Sequence, residues 1–417
     1  MVMLVFFMVL SSCLLGLWGE MYGLIFLTGL AALGSMSGCW VYQVEYFWLS
    51  GVSFFMIVLG LFFFVWKAEL TWKSDRLINL FLLLGVFGSL VFFVSESWLL
   101  FLVMYEASLF FLVFMVLGSG GYYERLKSGY FLLIYTLLLS TPLFIYVLVI
   151  LSKFGVMGFL SCSMLKGFFF LTCLLISFLV KVPLYGLHGW LPKVHVEAPT
   201  AGSMLLAGML IKMGLWGMLL LGYCGLSFLV DWLWGLVVAG LVVSLFKMTV
   251  LTDLKQIVAY SSVVHMALVI MGVLYFPVSV LGVAMLMMVF HGVVSMGMFC
   301  GVGGFTEVVL TRALVLLSKI FVWGGCMGVV VLSLFVLNSG FPLSGGFIGE
   351  VSLMMELVQF DWVYLFGVFV LIFLGLVFNV IIVLVLHGRE VLNSVVWGVY
   401  VFSLMFSVVL GVVGLFV

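Results

Sequence analysis

Charge is what this chain has least of. Only 7% of its 417 residues are Asp, Glu, Lys or Arg, where a soluble domain carries about 25%. That excludes a solvated globular fold and leaves a polytopic membrane protein. The 15 basic and 15 acidic residues cancel, so nothing in the charge balance suggests nucleic acid and no such partner is expected. The 7 cysteines (Cys13, Cys39, Cys162, Cys173, Cys224, Cys300 and Cys326) form no CxxC pair or metal-like spacing. Most fall in apolar segments, where a free thiol behaves as a small hydrophobe. No disulfide framework, zinc site or iron–sulfur site is expected, and no metal or cofactor on this chain. No GxGxxG follows a strand, and GVGGF (301–305) is not a nucleotide loop.

The N-terminal stretch MVMLVFFMVLSSCLLGLW is apolar from the start, and the first basic residue is Lys67. A basic n-region and an Arg-rich transit peptide are both missing. The expectation is a chain made inside the compartment whose membrane it occupies. Composition agrees, with Phe 43 and Gly 47 against Pro 6 and His 5, as a G/T-rich coding strand would give. A nuclear gene copy with an added presequence would overturn that expectation.

What the chain has is apolar length, with 67% hydrophobic residues. Runs long enough to span hydrocarbon, about 20 residues each, fall at 2–18, 21–41, 47–66, 77–95, 97–117, 129–151, 168–189, 201–223, 231–250, 254–275, 278–302, 313–337, 361–386 and 392–416. A short piece at 348–359 continues the twelfth. The fold class expected is all-α, with about fourteen transmembrane helices. Loops after odd-numbered helices lean basic (Lys67, Lys73 and Arg76; Arg125 and Lys127; Lys247 and Lys255; Arg312 and Lys319). That side faces synthesis and both termini face the other; Lys153 and Lys166 run against the pattern.

Residues 179–212, LVKVPLYGLHGWLPKVHVEAPTAGSMLLAGMLIK, organise the rest. Lys181 lies in an apolar run that Pro183 interrupts by removing a backbone donor. His188, His195 and Glu197 follow, and Lys212 lies near the middle of the next helix. A lysine there costs about 3 kcal/mol on insertion scales. It could instead snorkel or pair silently, but Lys212 lies far from either helix end. Five helices after the break at Pro183, LNSGFPLSGGFIGE (337–350) interrupts the twelfth helix before Glu350. Breaks at corresponding positions of two halves mark a transport path. Since five is odd, the repeats are expected to be inverted. The expected division is 1–76 (three N-terminal helices), 77–223 and 231–387 (the repeats) and 392–417 (a last helix), with Lys181 and Glu350 as counterparts.

Other ionisable groups sit at membrane depth. Glu106 lies about ten residues into the fifth helix. A buried carboxylate keeps its charge only beside a cation, and a buried lysine whose carboxylate partner can approach or leave is a proton site with a switch. A static ion pair is the plainer alternative. Ser261 and His265 share a face of the tenth helix, and His291 and Ser295 share one of the eleventh. A lone buried histidine is often only a satisfied core residue. Near two lysines, histidines can relay protons. His188 and His195 straddle a proline loop and do not form axial ligands across two helices, so a haem site is not expected.

Together LVKVPLYGLHGWLPKVHVEAPTAGSMLLAGMLIKMG, YEASL (105–109), YERLKSGYFLLIYTLL (123–138), TDLKQIVAYSSVVHMALV (252–269) and FIGE (347–350) closely resemble the signature of the subunit 4 family of mitochondrial NADH:ubiquinone oxidoreductase, respiratory complex I. The resemblance runs in order from about 97 to 350. It implies an antiporter-like fold of fourteen helices with helices seven and twelve discontinuous. It implies proton translocation in the mitochondrial inner membrane, driven by redox chemistry elsewhere. NADH, FMN, iron–sulfur clusters and ubiquinone would be bound by partner subunits. The partners implied are other membrane-arm subunits, neighbouring antiporter-like ones among them, within the lipid bilayer. By the same resemblance Glu106 and Lys181 form the ion pair of the first half-channel. Lys212 is its central lysine, His265 and His291 are linking residues, and Glu350 is the terminal acid of the second. His188 and His195 match family positions with less defined roles. By the same resemblance Val250-Leu251 replaces an Arg-Gln, Phe111 a proline, and Pro342-Leu343 a Pro-Pro; none removes an ionisable member of the path. A subunit of a multi-subunit sodium/proton antiporter is the alternative. A purely structural scaffold is a weaker one, since it gains nothing from charges at mid-membrane.

Overall fold

The computed structural model describes residues 76–358 apart from 96, 119–122, 155–167, 223–229, 276–277, 315–324 and 341–343, together with Gly375 and Val377. The helices expected at 2–18, 21–41, 47–66, 361–386 (Gly375 and Val377 apart) and 392–416 lie outside the described residues, as does the Pro342-Leu343 pair. The described residues are helical except for connecting turns and isolated β-bridge positions, Asp253 with Ala313 among them.

In chain order the helices are α1 (Arg76–Val94), α2 (Trp98–Gly118), α3 (Tyr123–Phe154), α4 (Phe168–Lys181), α5 (Trp190–Glu197) and α6 (Thr200–Leu205). A π turn (Leu206–Leu210) leads into α7 (Ile211–Gly222). Then come α8 (Val230–Val250), α9 (Leu254–Tyr275), α10 (Val278–Val309), α11 (Gly325–Asn338) and α12 (Gly345–Val358). Among the described residues six helical stretches are long and apolar enough to cross a membrane: Trp98–Gly118, Tyr123–Ser152, Thr200–Leu221, Leu233–Val250, Leu254–Leu274 and Gly282–Val309.

The expected bounds of α8 and α9 agree closely with those observed. Two helices run longer than hydropathy alone indicated. α3 begins at Tyr123 rather than 129, because Glu124, Arg125 and Lys127 form a polar first turn that lowers local hydropathy. α10 continues through GVGGF to Val309. Two of its three glycines lie at close contacts: a Cβ on Gly301 would meet Val331, and one on Gly303 would meet Thr200.

Small residues set how close the central helices come. Gly214 and Gly217 of α7 lie against Val182 and Phe178, so any side chain at Gly217 would collide with the Phe178 ring. Phe178 in turn packs edge-on to Phe101 and Tyr105 of α2.

α4 ends at Lys181 for a local reason. Pro183 has no N–H, and the next amide, Leu184, bonds to the Leu179 and Val182 carbonyls rather than to Val180. The Val180 carbonyl accepts instead from Trp190 Nε1 at 3.1 Å. The first residue of α5 thus satisfies a carbonyl that the end of α4 leaves open. α5 stops at Ala198, extended as the residue before a proline must be.

On the side where α5 ends, two loops are joined. Asp253 and Ala313 form an antiparallel bridge, with Leu254 N–H to Arg312 O at 3.2 Å and Leu314 N–H to Thr252 O at 2.8 Å.

Candidate functional site

Lys212 is fully buried, and the backbone just before it is built to receive its charge. The π turn at Leu206–Leu210 lengthens the backbone repeat by one residue, a device common at functional positions. Lys212 Nζ donates to the Ala207 carbonyl at 2.5 Å. Its ammonium also lies 3.0 Å from His291 Nδ1. An ammonium has no acceptor lone pair, so His291 Nδ1 accepts there and the proton of a neutral ring sits on Nε2.

From His291 the grouping continues across α9 to α12. The rings of His291 and His265 lie 5.6 Å apart, centroid to centroid. His265 Nδ1 is 3.2 Å from Glu350 Oε1. Glu350 is buried, and Gly340, with φ of +73°, lies beside its carboxylate, where a Cβ would press on Oε2. The structure therefore brings Lys212, His291, His265 and Glu350 together in a row contributed by four elements. The two imidazoles mark the widest step of the row, with contacts of 3.0 and 3.2 Å on either side of it.

Lys181 and Glu106 lie in a separate grouping. Lys181 Nζ donates to the Tyr105 carbonyl at 2.5 Å and sits over the Tyr105 ring, 2.9 Å from its centroid. Glu106 is close enough for its charge to act on Lys181, yet neither of its buried carboxylate oxygens has a hydrogen-bond partner. The Lys181 stem passes Gly214 of α7, two residues from Lys212.

His188 and His195 join neither grouping by a hydrogen bond. His188 Nδ1 accepts from the Gly186 N–H at 3.2 Å, and its ring stacks on Tyr185 and meets Tyr260 edge-on. His195 is fully buried and stacks flat on Phe299, 4.2 Å between centroids, with both ring nitrogens unpartnered. Lys255 and Lys212 both act on it electrostatically.

Three features escaped the reading of the sequence. Tyr105 as the ammonium's holder is one, and the π turn is another. The third is Glu197, which accepts from Arg312 Nη1 at 2.8 Å and lies 3.8 Å from Arg125 Nε, tying α5 to α3 and to the loop after α10. A signal for it existed: Arg125 and Arg312 both belong to the basic loops of one membrane side, where α5 ends.

The described residues define a polytopic, all-helical membrane protein whose interior holds ionisable side chains in a row. The family model described as NADH:quinone oxidoreductase/Mrp antiporter, TM, matches residues 95–375, and the chain belongs to that family. It is 31% identical over 404 residues to the NADH-ubiquinone oxidoreductase chain 4 of Ceratitis capitata, covering 93% of this chain and 89% of the relative. With the Aedes aegypti chain 4 it shares 35% over 309 residues, 72% of this chain and 67% of the relative. Its fold is like that of a chain in respiratory complex I from Thermus thermophilus with bound NADH (TM-score 0.69, 20% identity, 87% of this chain and 78% of that one). It is also like a chain of the Mrp complex from Dietzia sp. DQ12-45-1b (TM-score 0.73, 15% identity, 93% and 80%).

Proposed function

We propose that this chain is a proton-translocating membrane-arm subunit of respiratory complex I in the mitochondrial inner membrane. It would couple NADH-to-ubiquinone electron transfer on partner subunits to proton movement through its own buried side chains. The observation that carries this reading is the buried row Lys212–His291–His265–Glu350, in which a cation, two titratable rings and an acid stand in order. Such an order suits a proton entering on nitrogen and leaving from oxygen.

The mechanism follows from the contacts. An electrostatic change arriving from a neighbouring subunit shifts Lys181 relative to Glu106 and alters its hold on a proton, favouring transfer toward Lys212. Lys212 then gives a proton to His291 Nδ1, the acceptor already 3.0 Å away. The protonated ring loses a proton from its other nitrogen toward His265, a step that needs a water or a ring rotation across the 5.6 Å separation. His265 Nδ1 delivers to Glu350. His188 and His195 flank the path near α5. The chemistry of NADH, FMN, the iron–sulfur clusters and ubiquinone belongs to the partner subunits, other membrane-arm subunits of antiporter-like type among them. The whole chain is read as fourteen helices with inverted repeats at 77–223 and 231–387 and discontinuous seventh and twelfth helices. In support, α4 and α5 are separated by a turn at Pro183, and α11 ends at Asn338, before α12 begins at Gly345.

The test is Lys212→Met in the assembled complex. NADH-driven proton pumping should be lost while the complex still assembles; full pumping would refute the role. The second reading, a subunit of a multi-subunit sodium/proton antiporter, draws on the fold likeness to the Mrp complex and on the family description, which names both kinds of protein.

A further inference from the structure

The Lys181 ammonium has two neighbours that compete for it. One is Tyr105, which offers a backbone carbonyl at 2.5 Å and a ring face at 2.9 Å. The other is Glu106, the next residue on the same helix, whose carboxylate oxygens are buried and unpartnered. A buried carboxylate without a partner is costly, and a desolvated ammonium that feels its charge is its natural counterpart. Something must therefore hold the two apart. The Tyr105 ring is well fixed for that purpose. Its hydroxyl donates to the Ser177 carbonyl at 3.0 Å, and its faces and edges are bounded by Phe92, Phe101 and Phe178. Ser177 lies one turn before Lys181 on α4, so the hydroxyl tethers the ring to the helix that carries the ammonium.

We propose that Tyr105 is a positioning residue: its ring face and carbonyl form a resting cradle for the Lys181 ammonium and keep it from closing onto Glu106. This deepens the proposed proton-translocating reading and rests on it. In that picture the first grouping has two states, lysine on tyrosine and lysine on glutamate, and no covalent step separates them. The ring is what makes the first state competitive. A desolvated cation–π contact is worth enough that removing the ring shifts the balance toward Glu106 by roughly 30-fold. The hydroxyl serves only to orient the ring.

The experiment uses the assembled complex in its own membrane, with assembly read from a native gel stained for NADH oxidation and pumping read as proton uptake per NADH oxidised. Tyr105→Leu and Tyr105→Met remove the ring at similar length. Tyr105→Phe keeps the ring and the carbonyl and loses only the tether. The proposal expects Phe to retain most pumping while Leu and Met lose it at least several-fold at unchanged assembly. It also expects Glu106→Asp, which shortens the competing carboxylate, to restore part of the loss in the Leu background. A simple packing role would not produce that restoration. Wild-type pumping in the Leu variant overturns the proposal. So does equal loss in Phe and Leu, or failure of both Leu and Met to assemble, since either marks a structural role. Lys212→Met measured alongside separates the two ideas. Lost pumping there with normal pumping in Tyr105→Leu sinks only the cradle, whereas normal pumping in both sinks the translocation reading itself.

Discussion

At Lys212 a charge that costs about 3 kcal/mol to place in a membrane helix meets two acceptors, the Ala207 carbonyl and His291 Nδ1. Removing the second by His291→Phe leaves the ammonium one acceptor short, at about 1–3 kcal/mol. The expected outcome is a complex that assembles at somewhat reduced level and pumps poorly, measured by proton uptake per NADH oxidised; undiminished pumping would count against the row as a proton path. The residue types at this site were legible in the sequence, because Lys181, Lys212, Glu106, Glu350, His265 and His291 interrupt long apolar runs. Their partners were not. Spacing along a helix reports which residues share a face, but it cannot say that Lys181 would lie on Tyr105 rather than on the adjacent carboxylate. That choice depends on ring orientation and on the packing of Phe178 from another helix.

At the scale of elements, helix-to-helix distance is set by glycine. Gly217→Leu places a branched side chain where the Phe178 ring already stands, so α7 and α4 must separate and the complex should fail to accumulate on a native gel. Gly235→Ala on α8, where a Cβ meets nothing within 4 Å, should accumulate normally and serves as the control. The short helix α5 is held at its far end by Glu197. Glu197→Gln weakens the pairing with Arg312 and Arg125, an effect on the order of 1 kcal/mol because the Arg312 side chain is 36% exposed. Lower thermal stability of the assembled complex is the expected result. Helix positions were readable from hydropathy because each span must be apolar over its membrane length. The polar first turn of α3 and the far end of α10 were not, since a helix can outlast its apolar stretch once its glycines are packed and its charges reach the interface.

For the whole molecule, the reading places the chain inside a large assembly. A native gel of detergent-solubilised membranes should show it comigrating with an NADH-oxidising band; a separate band without that activity would favour the antiporter reading instead. Class and family were legible because scarcity of charge and the run from Lys181 to Lys212 belong to few kinds of protein. What hydropathy could not carry was angle. Each α-helical residue turns the chain by about 100°, so the extra residue accommodated at Leu206–Leu210 resets the bearing of everything after it against everything before it. The Glu197 end and the Lys212 end of this region are clocked to one another by that single insertion. Losing one residue from the turn would leave every apolar profile intact, yet it would aim the central lysine at the wrong neighbours.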